Sequence, residues 1–204
     1  MGEAIYDVVI VGAGPAGIFA ALELSRSSRL KVLMIEKGRG IAGRVCPSKE
    51  RRVNCVRCDP CGVLCGWGGA GAFSDGKLTL STDVGGMLEN YVGREELLRL
   101  IDQVDRVYLD YGAPGDVWGE EDDKVSELRD RAKLAELTLI PARIRHLGTG
   151  RTGHILEGMR KALEGKVDID LNTSAVRVLS KDGAVGGVET SDGRFIQAKY
   201  VIVA

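Results

Sequence analysis

The stretch from Tyr6 to Glu36 restricts this chain to few folds. It opens on a β-branched apolar run, YDVVIV (Tyr6–Val11), of the kind buried on both faces of a parallel sheet. GAGPAG follows, then IFAALELSRSS with apolar residues at helical spacing, then a second apolar run, LKVLMIE (Leu30–Glu36). Strand, glycine turn, helix and strand make a βαβ unit, and one crossover helix requires the two strands to be parallel neighbours. The expected class is α/β: a Rossmann-like domain with a parallel sheet.

Inside this unit Gly12, Gly14 and Gly17 form G-x-G-x-x-G between strand and helix, with an acid, Glu36, ending the next strand. That whole context is what dinucleotide binding requires. Gly12 permits the tight turn, Gly14 lets the backbone approach a pyrophosphate, and Gly17 lets helix and strand pack closely. The helix N-terminus offers free amides and a partial positive charge to phosphates. Glu36 can accept hydrogen bonds from a ribose 2′-OH and disfavours a 2′-phosphate. A chance glycine turn beside a solvated Glu36 is the bland alternative. The fingerprint alone does not separate FAD from NAD.

The remaining elements are read more coarsely. Residues 37–92 form a Gly/Cys-rich insertion without regular periodicity, and residues 93–150 a mainly helical one. The helices expected there are Gly93–Leu109, with Leu97, Leu100, Ile101, Val104 and Val107 near one face, and Glu120–Leu137. Thr152–Leu163 is another helix. Val167–Leu171 and Ala175–Leu179 are strands, and Ala184–Thr190 with Arg194–Ala198 forms a hairpin around Ser191-Asp192-Gly193. Tyr200–Ala204 is expected as one more strand. The acidic run Glu120-Glu121-Asp122-Asp123 suits a solvated loop or helix start.

Composition narrows the function classes. A net charge of −1 over 204 residues gives no basic field for nucleic acid or anionic lipid. No apolar run approaches the roughly 18 residues that cross a bilayer, and the N-terminal run enters a glycine motif rather than a cleavage site. A cytoplasmic location follows as an expectation. Five cysteines then suit thiols or metal ligands better than disulfides. Cys55, Cys58, Cys61 and Cys65 have the C-x2-C-x2-C-x3-C spacing of a ferredoxin run. Gly66 stands where such runs carry proline, and no second run exists. An iron–sulfur or zinc site, with Cys46 as an alternative ligand, a redox thiol pair, and unremarkable reduced thiols are all open.

Resemblance adds what spacing does not. VVIVGAGPAGIFAALELSR with VLMIEKGRG resembles the start of the glutathione-reductase-like flavoproteins, including Pro15, Ala16 and the Glu36-Lys37-Gly38 triplet. DIDLNTSAVRVL resembles the strand that sets a valine backbone beside adenine, which marks Val176. AKYVIVA resembles the strand that enters a turn near the FAD. GGAGAFSDGKL, with HLGTG at His146–Gly150, resembles a family of FAD-dependent dehydrogenases across essentially the whole chain. The resemblance implies that Gly68, Gly69 and Gly71 lie along the flavin, where missing side chains admit a planar ring. Ser74, Asp75 and Lys77 would offer polar groups there. A glycine-rich surface loop is the alternative. His146 is a candidate general acid or an ordinary structural histidine; His154 has no assigned role.

The expected function is that of an FAD-binding oxidoreductase acting on an undefined small molecule, with NAD(P)H a candidate electron donor. The resembled family is roughly twice as long, so the chain reads as an N-terminal part whose C-terminal half is supplied by a partner chain or lacking. A non-catalytic nucleotide-binding or assembly module, and a Cys-ligated electron-transfer protein, are the competing classes. Flavin colour, no colour, or brown would tell the three apart.

Overall fold

The computed structural model describes residues 5–120, 122–140, 142–148 and 150–204. Two compact units divide them: residues up to 73 together with Leu156–Ala204, and Ser74–Ile155.

In the first unit, strand β1 (Tyr6–Val11), helix α1 (Pro15–Ser27) and strand β2 (Val32–Glu36) form the expected βαβ crossover. β1 and β2 are parallel, with Val8 beside Val32 and Val11 beside Ile35. β2 is buried along its whole length, as its unbroken apolar sequence demands. Pro15 opens α1, where its missing N–H costs nothing. Gly17 brings the helix against Ile10, so Ile18, Ala21 and Leu22 are buried.

A short helix, α2 (Pro47–Arg51), is followed by a 3₁₀ turn at Gly69–Phe73. The second unit opens with strand β3 (Lys77–Thr79) and helices α3 (Glu89–Val92) and α4 (Arg94–Asp110). Strand β4 (Val117–Trp118), helix α5 (Asp123–Leu134) and strand β5 (Ile144–His146) complete it, and helix α6 (Arg151–Leu163) starts there. From Leu156 onward α6 belongs to the first unit. The chain then forms strands β6 (Asp168–Leu171), β7 (Ala175–Lys181), β8 (Ala184–Thr190) and β9 (Phe195–Val203).

The first unit is built on one six-stranded sheet in the order β6-β2-β1-β9-β8-β7. Its β6-β2-β1-β9 part is parallel, and β7-β8-β9 is an antiparallel meander. One core cluster on the sheet joins Val9, Leu33, Ile35, Val188, Ile196 and Ala198. The meander therefore extends the parallel sheet. The two expected segments Arg194–Ala198 and Tyr200–Ala204 are instead one nine-residue strand, β9. Its start pairs with β8 (Phe195 with Glu189), and from Ala198 it pairs with β1 (Ala198 with Tyr6). The expected turn closes the hairpin: Gly193, at φ +81°, donates its N–H to Thr190.

In the second unit, β3, β5 and β4 make a small antiparallel sheet that the sequence reading lacked. α4 follows its expected bounds within a residue, with Val107 buried and Leu97, Leu100, Ile101 and Val104 lining an apolar cleft beside Leu78 and Leu80. Asp122 caps α5 by accepting the Val125 N–H at 2.8 Å, so the acidic run is a helix start; Glu121 lies outside the described residues.

The unit is fastened by Arg145, whose side chain is 5% exposed. Its guanidinium grips both oxygens of Asp105 and donates to the Pro114 carbonyl at 2.7 Å. Removing one partner of such a pair strands the other charge in a dry site. Arg145→Met is expected to cost about 2–4 kcal/mol. Denaturant unfolding of the full chain, followed at α4 and α5, measures it; a loss below about 1 kcal/mol would show the pair to be solvated.

Candidate functional site

The glycine turn after β1 is held by the protein's own backbone at two of its three glycines. Gly12 has φ +106°, and a Cβ there would stand 2.3 Å from the Ala204 carbonyl oxygen. A Cβ at Gly17 would stand 2.0 Å from the Gly12 oxygen. Real Cβ atoms do not reach such distances, so both positions need glycine whether or not a ligand binds. Gly14 differs. It has φ −73°, and a Cβ there would meet nothing within 4 Å. Space is therefore left open at the N-terminus of α1, where the first-turn amides have no partners within the helix.

Glu36 is 7% exposed and ties three segments together. Its Oε2 accepts the Ala13 N–H at 2.9 Å; its Oε1 accepts those of Gly38 at 2.8 Å and Gly66 at 2.9 Å. A carboxylate has about four acceptor sites. Three are filled, and the one left is on Oε2, the oxygen nearest the glycine turn. Sequence reasoning had given Glu36 only to a ribose. Its backbone partners were missed because Gly66 lies thirty residues on, with no local signal.

The Gly/Cys loop is drawn onto the turn. Gly68 donates its N–H to the Ala13 carbonyl at 2.8 Å, and a Cβ on Gly69 would be 3.1 Å from the Gly14 Cα. Gly71 faces open space. Trp67 anchors the loop: its ring is fully buried and its indole N–H donates to the Leu156 carbonyl at 2.8 Å. Arg44, absent from the sequence-based candidates, is buried and donates to the carbonyls of Gly62, Val63, Trp67 and Gly69. Its guanidinium also sits 4.7 Å from the Phe73 ring centre. Burial lowers its pKa from the ordinary arginine value, which Glu36 partly offsets. One cation thus organises a loop that has almost no regular secondary structure.

Val176 is 58% exposed on β7. Ala175 pairs with Thr190 and Arg177 with Glu189, so Val176 is the extra residue of a bulge. Lys37 is exposed at the end of β2. Pro15 and Ala16 form the first turn of α1.

Asp75, Lys77 and His146 belong to the second unit. Lys77 pairs with Asp75 at 2.7 Å, and His146 lies opposite Lys77 across β3 and β5. The lysine and the histidine both lower the Asp75 pKa, the lysine first. His154 is exposed on α6. In the HLGTG segment, Thr149 lies outside the described residues. All five cysteines are free, with Cys55 and Cys58 exposed and Cys46, Cys61 and Cys65 half-buried. Among the described residues no three His, Cys, Asp or Glu side chains are grouped to hold a metal ion. The ferredoxin-like spacing therefore does not gather its four sulfurs into a closed ligand set. Among the same residues, no helix is long and apolar enough to cross a membrane.

Comparison with known proteins agrees with this geometry. The sequence profile of the family described as Pyridine nucleotide-disulphide oxidoreductase matches residues 6–57. A thioredoxin reductase from Listeria monocytogenes is 64% identical over 36 residues, 18% of this chain and 11% of that protein. A protein described as uncharacterized from Clostridium beijerinckii is 47% identical over 75 residues, 35% of this chain and 13% of its own length. Among solved structures, 3-ketosteroid-delta4-(5alpha)-dehydrogenase from Rhodococcus jostii RHA1 superposes with a TM-score of 0.57 at 16% identity. That match covers 100% of this chain but only 46% of the dehydrogenase, so it speaks for the fold. Residues 6–57 are similar to the pyridine nucleotide-disulphide oxidoreductases, and the chain has a Rossmann-like fold shared with the dehydrogenase structure.

Proposed function

We propose that this chain binds FAD and forms the cofactor-holding part of an FAD-dependent oxidoreductase. The observation that carries the reading is the contrast among the three glycines: packing alone requires two of them, while the third borders unfilled space at a helix N-terminus. Gly14, Pro15 and Ala16 would border the pyrophosphate, which the free first-turn N–H groups and the dipole of α1 would hold, Pro15 itself donating nothing. The spare acceptor on Glu36 Oε2 would take a ribose hydroxyl, with Lys37 at the rim of that site. The bulged backbone at Val176 would face adenine. Gly69 and Gly71 would border the ribityl chain, their missing side chains making room for it. When bound, the flavin supplies hydride exchange at its N5. The chain's own residues bind and orient it.

The family matched over residues 6–57 supports NAD(P)H as the electron donor. The substrate is a small molecule; the chain covers 46% of the dehydrogenase whose fold it shares, which supports completion of the site by a further segment or a partner chain. Gly14→Val tests the reading. It is expected to fold, since its side chain enters open space, and to retain less than about one-tenth of the wild-type flavin, since branched carbons would fill the phosphate position. Flavin absorbance per chain, beside an unchanged far-ultraviolet dichroism spectrum, is the measurement. Full flavin content in folded Gly14→Val would overturn the proposed site.

A further inference from the structure

Helix α4 carries one apolar stripe, Leu97, Leu100, Ile101, Val104 and Val107, at the spacing that puts side chains on a single face. The stripe is covered unevenly. Val107 is buried, whereas the four residues before it are only half-buried, and between them and β3 lies a cleft of about 170 Å³. A second hollow, of about 270 Å³, shares Thr79, Leu97 and Ile101 with the first, so the two form one groove. Together they reach the size of small-ligand sites. No charged side chain lines either part. Thr82 lines the second hollow, and its buried hydroxyl has no hydrogen-bond partner among the described residues. Such a group is costly to leave unpaired. At the rim, Gly85 and Gly86 stand at φ +116° and +113°, with no atom within 4 Å of where a Cβ would be. Val84 and Leu88, on either side of them, are exposed although they line the groove. Apolar side chains on a loosely held rim suit closure over an apolar guest.

We infer that this groove binds a neutral small molecule with a flexible aliphatic body and one hydroxyl or carbonyl oxygen, the body along the α4 stripe and the oxygen on the Thr82 hydroxyl. The apolar walls are Leu, Ile and Val, with no aromatic ring on which a flat molecule would stack. A carboxylate or ammonium group would enter without an opposite charge to meet it, and burying an unpaired charge is far costlier than burying a hydroxyl. The Thr82 hydroxyl both donates and accepts, so it pairs with either kind of oxygen. The groove lies wholly within the second unit, and the inference does not rest on the cofactor reading.

The test is methyl NMR of the full chain titrated with 1-octanol, and with octanoate as its charged counterpart. 1-Octanol is expected to shift the Leu97, Leu100, Ile101 and Val104 methyls saturably and to leave those of Ile10 and Leu33, in the first unit, in place. Octanoate should bind at least about tenfold more weakly at neutral pH. Ile101→Phe fills the groove and should abolish the saturable shifts; Leu97→Phe serves the same purpose if Ile101→Phe does not fold. Leu98→Phe, on the same helix but outside the groove, should leave binding unchanged. Thr82→Val should weaken 1-octanol about tenfold, and Thr82→Ser by less than about twofold. An unchanged dichroism spectrum qualifies each variant. Shifts spread over both units, or persisting in folded Ile101→Phe, would overturn the site. Octanoate binding as tightly as 1-octanol would overturn the neutral class, and full affinity in Thr82→Val the oxygen contact. Groove methyls that shift with protein concentration and not with 1-octanol would overturn the small ligand in favour of a second copy of the chain.

Discussion

Gly17→Val is expected to leave the chain largely unfolded. The new Cβ would stand 2.0 Å from the Gly12 carbonyl oxygen and 3.3 Å from Ile10 Cγ2. Neither neighbour can yield cheaply. The Gly12 carbonyl belongs to a turn whose own N–H is bound to the Ile35 oxygen at 2.8 Å, and Ile10 is fully buried in the sheet. Relief requires α1 to lift from β1, which exposes Ile18, Ala21 and Leu22 to water. Overpacking commonly costs about 1–3 kcal/mol, and a collision with backbone exceeds that range. Set against a total stability of about 5–15 kcal/mol, the loss removes most of the margin. Soluble yield and the dichroism spectrum check it. The comparison with Gly14→Val is the informative part: the same substitution three residues earlier should spare the fold and remove the flavin. Two variants behaving alike would mean that the turn's three glycines are not divided between packing and binding.

Replacing Glu36 with alanine should cost about 3–5 kcal/mol, because the buried amides of Ala13, Gly38 and Gly66 would each lose their acceptor. At about 2–4 °C per kcal/mol for a chain of this size, the melting midpoint should fall by about 6–20 °C. Glu36→Gln separates the structural task from the binding one. Its NH₂ cannot face an amide donor, so it turns away from Gly38 and Gly66, which share one oxygen, and toward Ala13. That loses one hydrogen bond and the acceptor nearest the glycine turn. The expected order of thermal stability is wild type, Glu36→Gln, Glu36→Ala. Flavin affinity should drop at least about tenfold already in Glu36→Gln. Wild-type melting in Glu36→Ala would show that water satisfies the three amides.

The βαβ unit was legible in the sequence because its signals are local: two apolar runs, a glycine turn between them, and helical spacing after it. β9 was half legible. FIQA alternates, as a strand with one buried face should, whereas YVIV is continuously apolar, as a parallel strand should be. Two environments along one strand look like two strands. β3, β4 and β5 are two or three residues long, too short to show any period. Arg44 was invisible for another reason. In AGRVC it looks like one more surface cation among the basic residues of its segment. Its role exists only through carbonyls contributed 18 to 25 positions later. Cysteine spacing left a metal site, a redox thiol pair and ordinary thiols open, because spacing in sequence states only which sulfurs can meet.

The order in which the sheet can assemble follows from β9. β1 lies between β2 and β9, so the strand that leads into the glycine turn is finished on one side only after residues near the far end of the chain arrive. The Ala204 N–H bonds to the Val11 carbonyl at 2.9 Å, and Lys199 reaches Asp7 across 192 positions of sequence. Contacts of such separation form late, since a long loop must close before they repay its entropy. During synthesis, the turn that would receive a dinucleotide is therefore made early and buttressed only once β9 has emerged. A nascent chain halted before residue 195 should hold the βαβ segment without β9 beside β1, and any dinucleotide uptake should follow the emergence of β9 rather than that of the glycine motif alone.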